Sequence, residues 1–189
     1  MDLLKKVVFL DRDGTINAAS PNYIKNWEEF EFLPRSLNAI KELTLNGFAT
    51  LVITNQSAVA RKLISLHELE QIHTRMRHMV QSNGGKIKDV FYCPHMPDDG
   101  CDCRKPQPGL IHQAQKKYHI DLSAAIIVGD SDRDIVCGRN AGCGRAVMVK
   151  TGNSKKAQRL LAEKGIAPDF VAEDLYEAAQ WIINTHSEL

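Results

Sequence analysis

Four short segments carry the residue types that phosphate chemistry needs. They are Asp11-Arg12-Asp13-Gly14-Thr15, Thr54-Asn55-Gln56-Ser57, Lys105, and Gly129-Asp130-Ser131-Asp132-Arg133-Asp134. A cluster of carboxylates without matching bases calls for a cation, and hard oxygen ligands favour Mg²⁺. Asp11, at the end of an apolar run, can attack phosphorus and form an aspartyl-phosphate. Asp13, two residues on, can protonate the leaving oxygen and later activate water. Gly14 lets the backbone turn sharply beside a ligand. Thr54 and Asn55 can donate hydrogen bonds to phosphoryl oxygens. Lys105 can neutralise charge on the phosphate and on the attacking carboxylate. Asp-x-Asp-Gly-Thr alone is as readily a polar turn. Its weight comes from the other segments that follow it in order.

A second cluster lies just before Lys105. Cys93-x-His95 is followed, after five residues, by Cys101-x-Cys103. Three sulfurs and one imidazole suit tetrahedral zinc with no open position, hence a structural rather than a catalytic ion. A disulfide within Cys-x-Cys would be badly strained. Zinc here would stiffen the loop over about 93–103 and so place Arg104 and Lys105. Cys137 and Cys143 read as small packing residues. His67, His73, His78, His112, His119 and His186 read as exposed or packing residues.

Groups so far apart in the chain need a scaffold that brings them to one edge. Apolar runs at 7–10, 50–53, 90–92, 125–128 and 146–149 read as buried strands. Amphipathic stretches alternate with them. One covers about 34–45. Another opens at Ser65 with Glu68 three residues later, a capping box, and stops at Gly84-Gly85. Others begin near Pro108 and cover about 132–141, 154–164 and 174–185. Such alternation implies an α/β fold, a doubly wound parallel sheet with helices on both faces. Ligands then sit beyond the carboxyl ends of the strands, where the chemical residues fall. No linker or repeat interrupts the pattern, so residues 1–189 read as one domain.

Length and composition agree. The 189 residues are 43% hydrophobic and 25% charged, which excludes disorder as the main state. The 24 basic and 23 acidic residues leave a net charge of +1, which argues against a nucleic-acid binder. No apolar run reaches a membrane-spanning length, and the one near the N-terminus is too short for a signal peptide. A cytoplasmic setting with reduced thiols is expected. No heptad or broad apolar stripe stands out, so a monomer is expected.

The four segments together resemble the motifs of the haloacid dehalogenase superfamily of phosphatases, across residues 11 to 134. The resemblance implies that fold, with Asp11 as nucleophile and Asp13 as general acid/base. It implies Mg²⁺ held by the Asp11 carboxylate, the Asp13 carbonyl and Asp130. Asp134 would stand behind the metal, orienting Lys105 or a metal water. The superfamily often inserts a large cap domain. Here only short stretches separate Thr15 from Thr54 and Asn55 from Lys105, so the chain reads as essentially capless. Specificity then falls to loops at 18–27, 56–63 and the zinc loop.

Two zinc-bearing branches are similar to this chain, the heptose-bisphosphate phosphatases and the histidinol-phosphate phosphatases. Asp11 to Asn17, Thr54 to Ser57 with Ala60-Arg61, and Cys101 to Gly109 resemble the heptose branch more closely. That branch implies a phosphorylated sugar as substrate. Its contacts would fall on Ser20, Pro21, Asn22 and Tyr23, on Thr54, Asn55, Gln56 and Ser57, and on Arg104 and Lys105. Arg61, Lys62 and Arg104 can hold a second anionic group, as a point charge or a guanidinium fork. A phospho-receiver domain shares the aspartate, Mg²⁺, threonine and lysine, but lacks an acid two residues after the nucleophile. A zinc module for nucleic acid fits poorly with balanced charge.

Overall fold

The computed structural model describes residues 3–186. Residues 1–2 and 187–189 of the expected domain lie outside the described residues. Six strands, β1 (Val7–Leu10), β2 (Ala49–Asn55), β3 (Ile87–Cys93), β4 (Ile126–Gly129), β5 (Arg145–Val149) and β6 (Phe170–Ala172), form one sheet. Their order is β3-β2-β1-β4-β5-β6 and every pairing between them is parallel. Between them run α1 (Ser36–Leu45), α2 (Leu66–Ser82), α3 (Gly109–Tyr118), α4 (Asp132–Ala141), α5 (Ser154–Glu163) and α6 (Leu175–His186).

Alternation along each strand splits the apolar residues between two layers. Val8 and Leu10 pack with Ile40, Leu43, Met76 and Ile182 from α1, α2 and α6. Val7 and Phe9 point the other way, onto Leu110, Ile111, Ile135 and Leu161 from α3, α4 and α5. Both faces are covered, which is why the strands read as unbroken apolar runs. The strand order reverses direction between β1 and β4, and a crevice opens at such a point. Asp11 and Asp130 follow these two strands.

All five expected strands and all six expected helices are present. The capping box holds, with Ser65 N–H donating to Glu68 Oε2 at 2.6 Å and Glu68 N–H to Ser65 Oγ at 3.2 Å. β6 was not legible, because three residues are too few for a periodic signal. β2 runs on to Asn55 because Thr54 and Asn55 pair with Tyr92 and Cys93. Two prolines sit just outside their helices. Arg35, left-handed at φ 62°, separates Pro34 from α1. Pro108 caps α3, and Gly109 N–H donates to Asp102 O at 3.0 Å. A Cβ on Gly109 would lie 2.3 Å from that carbonyl, so glycine is what lets α3 start against the cysteine loop.

The chain between β1 and α1 is short and folds on itself. Ala18 N–H donates to Glu31 O at 2.8 Å and Leu33 N–H to Ile16 O at 2.9 Å. Trp27 stacks on Phe30 with centroids 5.0 Å apart, and Phe32 meets both rings edge-on. This closed loop carries Ser20 to Tyr23 to the sheet edge.

Candidate active site

Asp11 leaves the end of β1 and meets Lys105 at once. Its Oδ1 accepts from Lys105 Nζ at 2.8 Å and from the Arg12 N–H at 2.7 Å. Lys105 is 3% exposed. Its ammonium also reaches Asp134 Oδ1 at 2.6 Å and the Ile53 carbonyl at 2.9 Å, so all three of its hydrogens are engaged. Burial opposes that charge, but Asp11 and Asp134 outweigh it and hold the lysine above its usual range. Asn55 fixes the lysine backbone from both sides, accepting from Lys105 N–H at 3.0 Å and donating to Lys105 O at 3.1 Å. The Asn55 side chain is therefore a latch on Lys105, and its second amide hydrogen has no protein acceptor among the described residues.

Asp134 does two jobs. Oδ1 orients Lys105, as anticipated, while Oδ2 accepts from Ser131 N–H at 3.0 Å and Ser131 Oγ at 2.6 Å. The same side chain thus caps α4 and sets the lysine.

Asp13 is held by a buried clamp. Arg12, wholly inaccessible, donates through NH2 to both Asp13 oxygens at 2.9 Å. Asn17 Nδ2 donates to Oδ1 at 2.9 Å and Gln56 Nε2 to Oδ2 at 2.8 Å. Burial would raise the Asp13 pKa, but Arg12, Asn17 and Gln56 together hold it below the usual carboxylate range. Behind the clamp, Arg12 NH1 meets His73 Nε2 at 3.2 Å. Burial first, then Arg12, push His73 down to about 3, so it is neutral. His73 is a packing residue, as expected, but one with a polar task. Gln56 is 3% exposed and serves Asp13 and Thr54 instead of lining the cleft, which corrects its expected role as a substrate contact. Arg12 and Asn17 escaped the sequence reading. The available signal was a charged residue at the inward position between two outward aspartates.

The crowded carboxylates fit a divalent cation. Oxygens of Asp11, Asp130 and Asp134 lie within 4.8 Å of one another. Burial and then Asp134 push Asp11 up to about 7, and the same two causes push Asp130 up to about 6. Anions raised by mutual repulsion are what a cation relieves. With Asp134 committed to Lys105 and Ser131, Asp11 and Asp130 remain to hold it. Gly14, at φ 87°, passes so close that a Cβ would lie 2.5 Å from Asp130 Oδ2.

These groups face a cleft of about 300 Å³. Of the expected contacts, Ser20, Pro21, Tyr23, Thr54, Asn55, Ser57, Arg104 and Lys105 line it. Asn22, Arg61 and Lys62 do not; the Arg61 guanidinium lies over the Tyr23 ring, 5.8 Å from its centroid. Arg133 and Asn153 line it and were not anticipated.

The cysteine cluster passes a geometric test for zinc. Cys93 Sγ lies 3.6 Å from Cys101 Sγ and 3.5 Å from His95 Nδ1. Cys103 Sγ lies 3.6 Å from Cys101 Sγ and 3.3 Å from His95 Nδ1. Zinc with its usual bond lengths spaces two sulfurs about 3.7 Å and a sulfur and nitrogen about 3.5 Å apart in a tetrahedron. A disulfide needs about 2.05 Å. Arg104 NH1 donates to His95 O at 3.1 Å, tying the loop to the cleft wall.

Comparison with known proteins decides the family. The HAD-hydrolase-like family model matches residues 102–178. A D-glycero-beta-D-manno-heptose-1,7-bisphosphate 7-phosphatase of Pseudomonas aeruginosa is 41% identical over 179 residues, 95% of this chain and 98% of the relative. The chain belongs to the heptose-1,7-bisphosphate 7-phosphatase family. It is a phosphoric monoester hydrolase with the haloacid dehalogenase-like fold. A Photorhabdus laumondii relative, 41% identical over 78% of this chain and 84% of its own, is named for the alpha anomer. The phosphatase also superimposes on a solved structure from Bordetella bronchiseptica, the D,D-heptose 1,7-bisphosphate phosphatase complexed with magnesium and phosphate. That match has a TM-score of 0.88 at 39% identity and covers 95% of this chain and 99% of the other.

Proposed function

We propose that this phosphatase removes the 7-phosphate of D-glycero-D-manno-heptose 1,7-bisphosphate, with Asp11 as nucleophile. The observation that carries the reading is the Asp11–Lys105 pair at 2.8 Å beside a clamped Asp13, in a chain whose relatives act on that sugar. Asp11 Oδ1 is taken by Lys105 and Arg12, which leaves Oδ2 without a protein hydrogen bond among the described residues. Oδ2 attacks phosphorus, the bond from phosphorus to the sugar oxygen breaks, and that oxygen leaves with a proton from Asp13. Because Arg12 keeps Asp13 ionised in the free chain, that proton enters with the substrate, a phosphoester with a second pKa of about 6. Asp13 then takes a proton from water as the water attacks the aspartyl-phosphate, and inorganic phosphate departs. Lys105 steadies the carboxylate throughout.

Mg²⁺ would be held by the Asp11 and Asp130 carboxylates and the Asp13 carbonyl, and it supplies charge neutralisation at the phosphoryl oxygens. Zinc on Cys93, His95, Cys101 and Cys103 holds the Lys105 loop and takes no part in the chemistry. Three thiol ligands kept reduced suit a cytoplasmic setting. No helix among the described residues is long and apolar enough to cross a membrane. The chain acts as a single domain and as a monomer.

The test compares kcat/KM on the beta and alpha anomers of the bisphosphate, on histidinol phosphate and on a generic phosphoester. The beta bisphosphate should exceed the generic ester by roughly a hundredfold or more, since remote binding energy is spent at the reacting centre. A flat profile overturns the substrate assignment. Preference for the alpha anomer transfers the protein to the activity for which the Photorhabdus relative is named.

A further inference from the structure

A bisphosphate brings two dianionic groups into a cleft walled by four aspartates, Asp11, Asp13, Asp130 and Asp134. The phosphate that is transferred is served at Asp11. The other needs cations of its own. Lys105 has none to offer, since its three hydrogens go to Asp11, Asp134 and Ile53. Arg12 is sealed off beneath Asp13. Arg61 stands outside the lining. The remaining cleft-lining cations are Arg104 and Arg133.

Arg133 is in an unfavourable place for a cation. It lies in the first turn of α4, where the helix dipole is positive and a cation is disfavoured. Both acidic neighbours are already paired, Asp132 with Lys164 at 3.0 Å and Asp134 with Lys105 at 2.6 Å. Arg133 itself has no hydrogen bond or ion pair among the described residues, and it is exposed. A locally unfavourable charge without compensation marks a functional position. The two arginines also line an adjoining hollow of about 410 Å³ beside the cysteine loop, which puts both at the boundary between it and the cleft. Arg104 is steadied by His95 O, with further guanidinium donors to spare. Two forks of this kind match the oxygens of one phosphate.

We propose that Arg133 is a specificity-determining residue that, with Arg104, grips the phosphate that is not transferred. The inference rests on the bisphosphate reading above. The test measures kcat/KM of wild type, R133A and R133K on heptose 1,7-bisphosphate and on heptose 7-phosphate. R133A should lose roughly tenfold more on the bisphosphate than on the 7-monophosphate, mostly through KM, because it removes a charged grip on the remote group alone. R133K should recover part of that loss, since it keeps the charge without the fork. The melting temperature of R133A should hold or rise, because a cation leaves the positive end of a helix. Equal losses on both substrates, or a lowered melting temperature that accounts for the loss, overturn the assignment. A wild type that shows no preference for the bisphosphate overturns the substrate reading itself. A wild-type preference that R133A leaves intact overturns the role of Arg133 alone.

Discussion

Asp11 and Asp13 are two residues apart and chemically unlike. Asp11 is raised to about 7 by burial and by Asp134, while Arg12 pulls Asp13 below its ordinary range. D11N keeps the shape and the Lys105 contact but removes the attacking oxygen. Turnover should fall by roughly three orders of magnitude or more with a near-native circular dichroism spectrum. D13N removes the acid of the first half-reaction and the base of the second, so turnover should fall, and the fraction of phospho-enzyme seen by intact mass should report which half is slowed more; a variant of Asp11 that still turns over removes it as nucleophile. His73 makes a separate claim on stability. Its folded pKa of about 3 lies below the usual histidine value of 6.5, because burial and Arg12 disfavour the imidazolium. Below pH 6.5 the unfolded chain therefore takes up a proton that the folded chain refuses, and stability is lost as pH falls towards 3. In H73Q that slope should flatten, as read from urea unfolding at several pH values.

At the scale of elements, the site depends on where strands stop and helices start. β1 and β4 end side by side and deliver Asp11 and Asp130, α4 is capped by the side chain that orients Lys105, and α3 begins on the carbonyl of Asp102. The loop carrying Cys93 to Lys105 has few apolar residues of its own to bury. Zinc removal with a thiol-selective chelator, or C101S, should lower the melting temperature and loosen amide protection across 93–105. Turnover should fall as Lys105 loses its register with Asp11. Unchanged order and unchanged turnover after zinc loss would falsify the supporting role of the metal.

Over the whole molecule, the net charge of +1 averages two opposed patches. Asp11, Asp13, Asp130 and Asp134 face Arg104 and Arg133 across one cleft. The acidic side is tuned for a cation. Protons compete for Asp11, raised to about 7, and for Asp130, raised to about 6. Mg²⁺ binding should therefore weaken steadily as pH falls below about 7, with proton release growing on binding, both measured by calorimetry in buffers of different ionisation heat. Above pH 7 added Mg²⁺ should raise the melting temperature, and the rise should continue with the logarithm of its concentration beyond the dissociation constant. Affinity that stays flat between pH 5 and 8 removes Asp11 and Asp130 as the ligands.

Much of this protein was determined by its sequence alone. Unbroken apolar runs alternating with amphipathic stretches dictate a covered parallel sheet, because only that arrangement buries strands on both faces. Asp11, Asp13, Asp130 and the four candidate zinc ligands were legible because each sits just past a strand end or at a metal-ligand spacing, both local properties, whereas Lys105 was legible only as one of the four segments taken together. Tertiary structure decided the rest. Arg12, Asn17 and His73 become one clamp only when β1 and α2 pack together. Gln56 turns from a substrate contact into a support, and Asn55 gains a second task, because the β2 end faces Asp13 on one side and Lys105 on the other. Arg133 gains its meaning from the cleft it lines and from the partners it lacks. Side-chain direction and pairing across 43 to 61 residues are set by packing, and one-dimensional spacing carries no record of them.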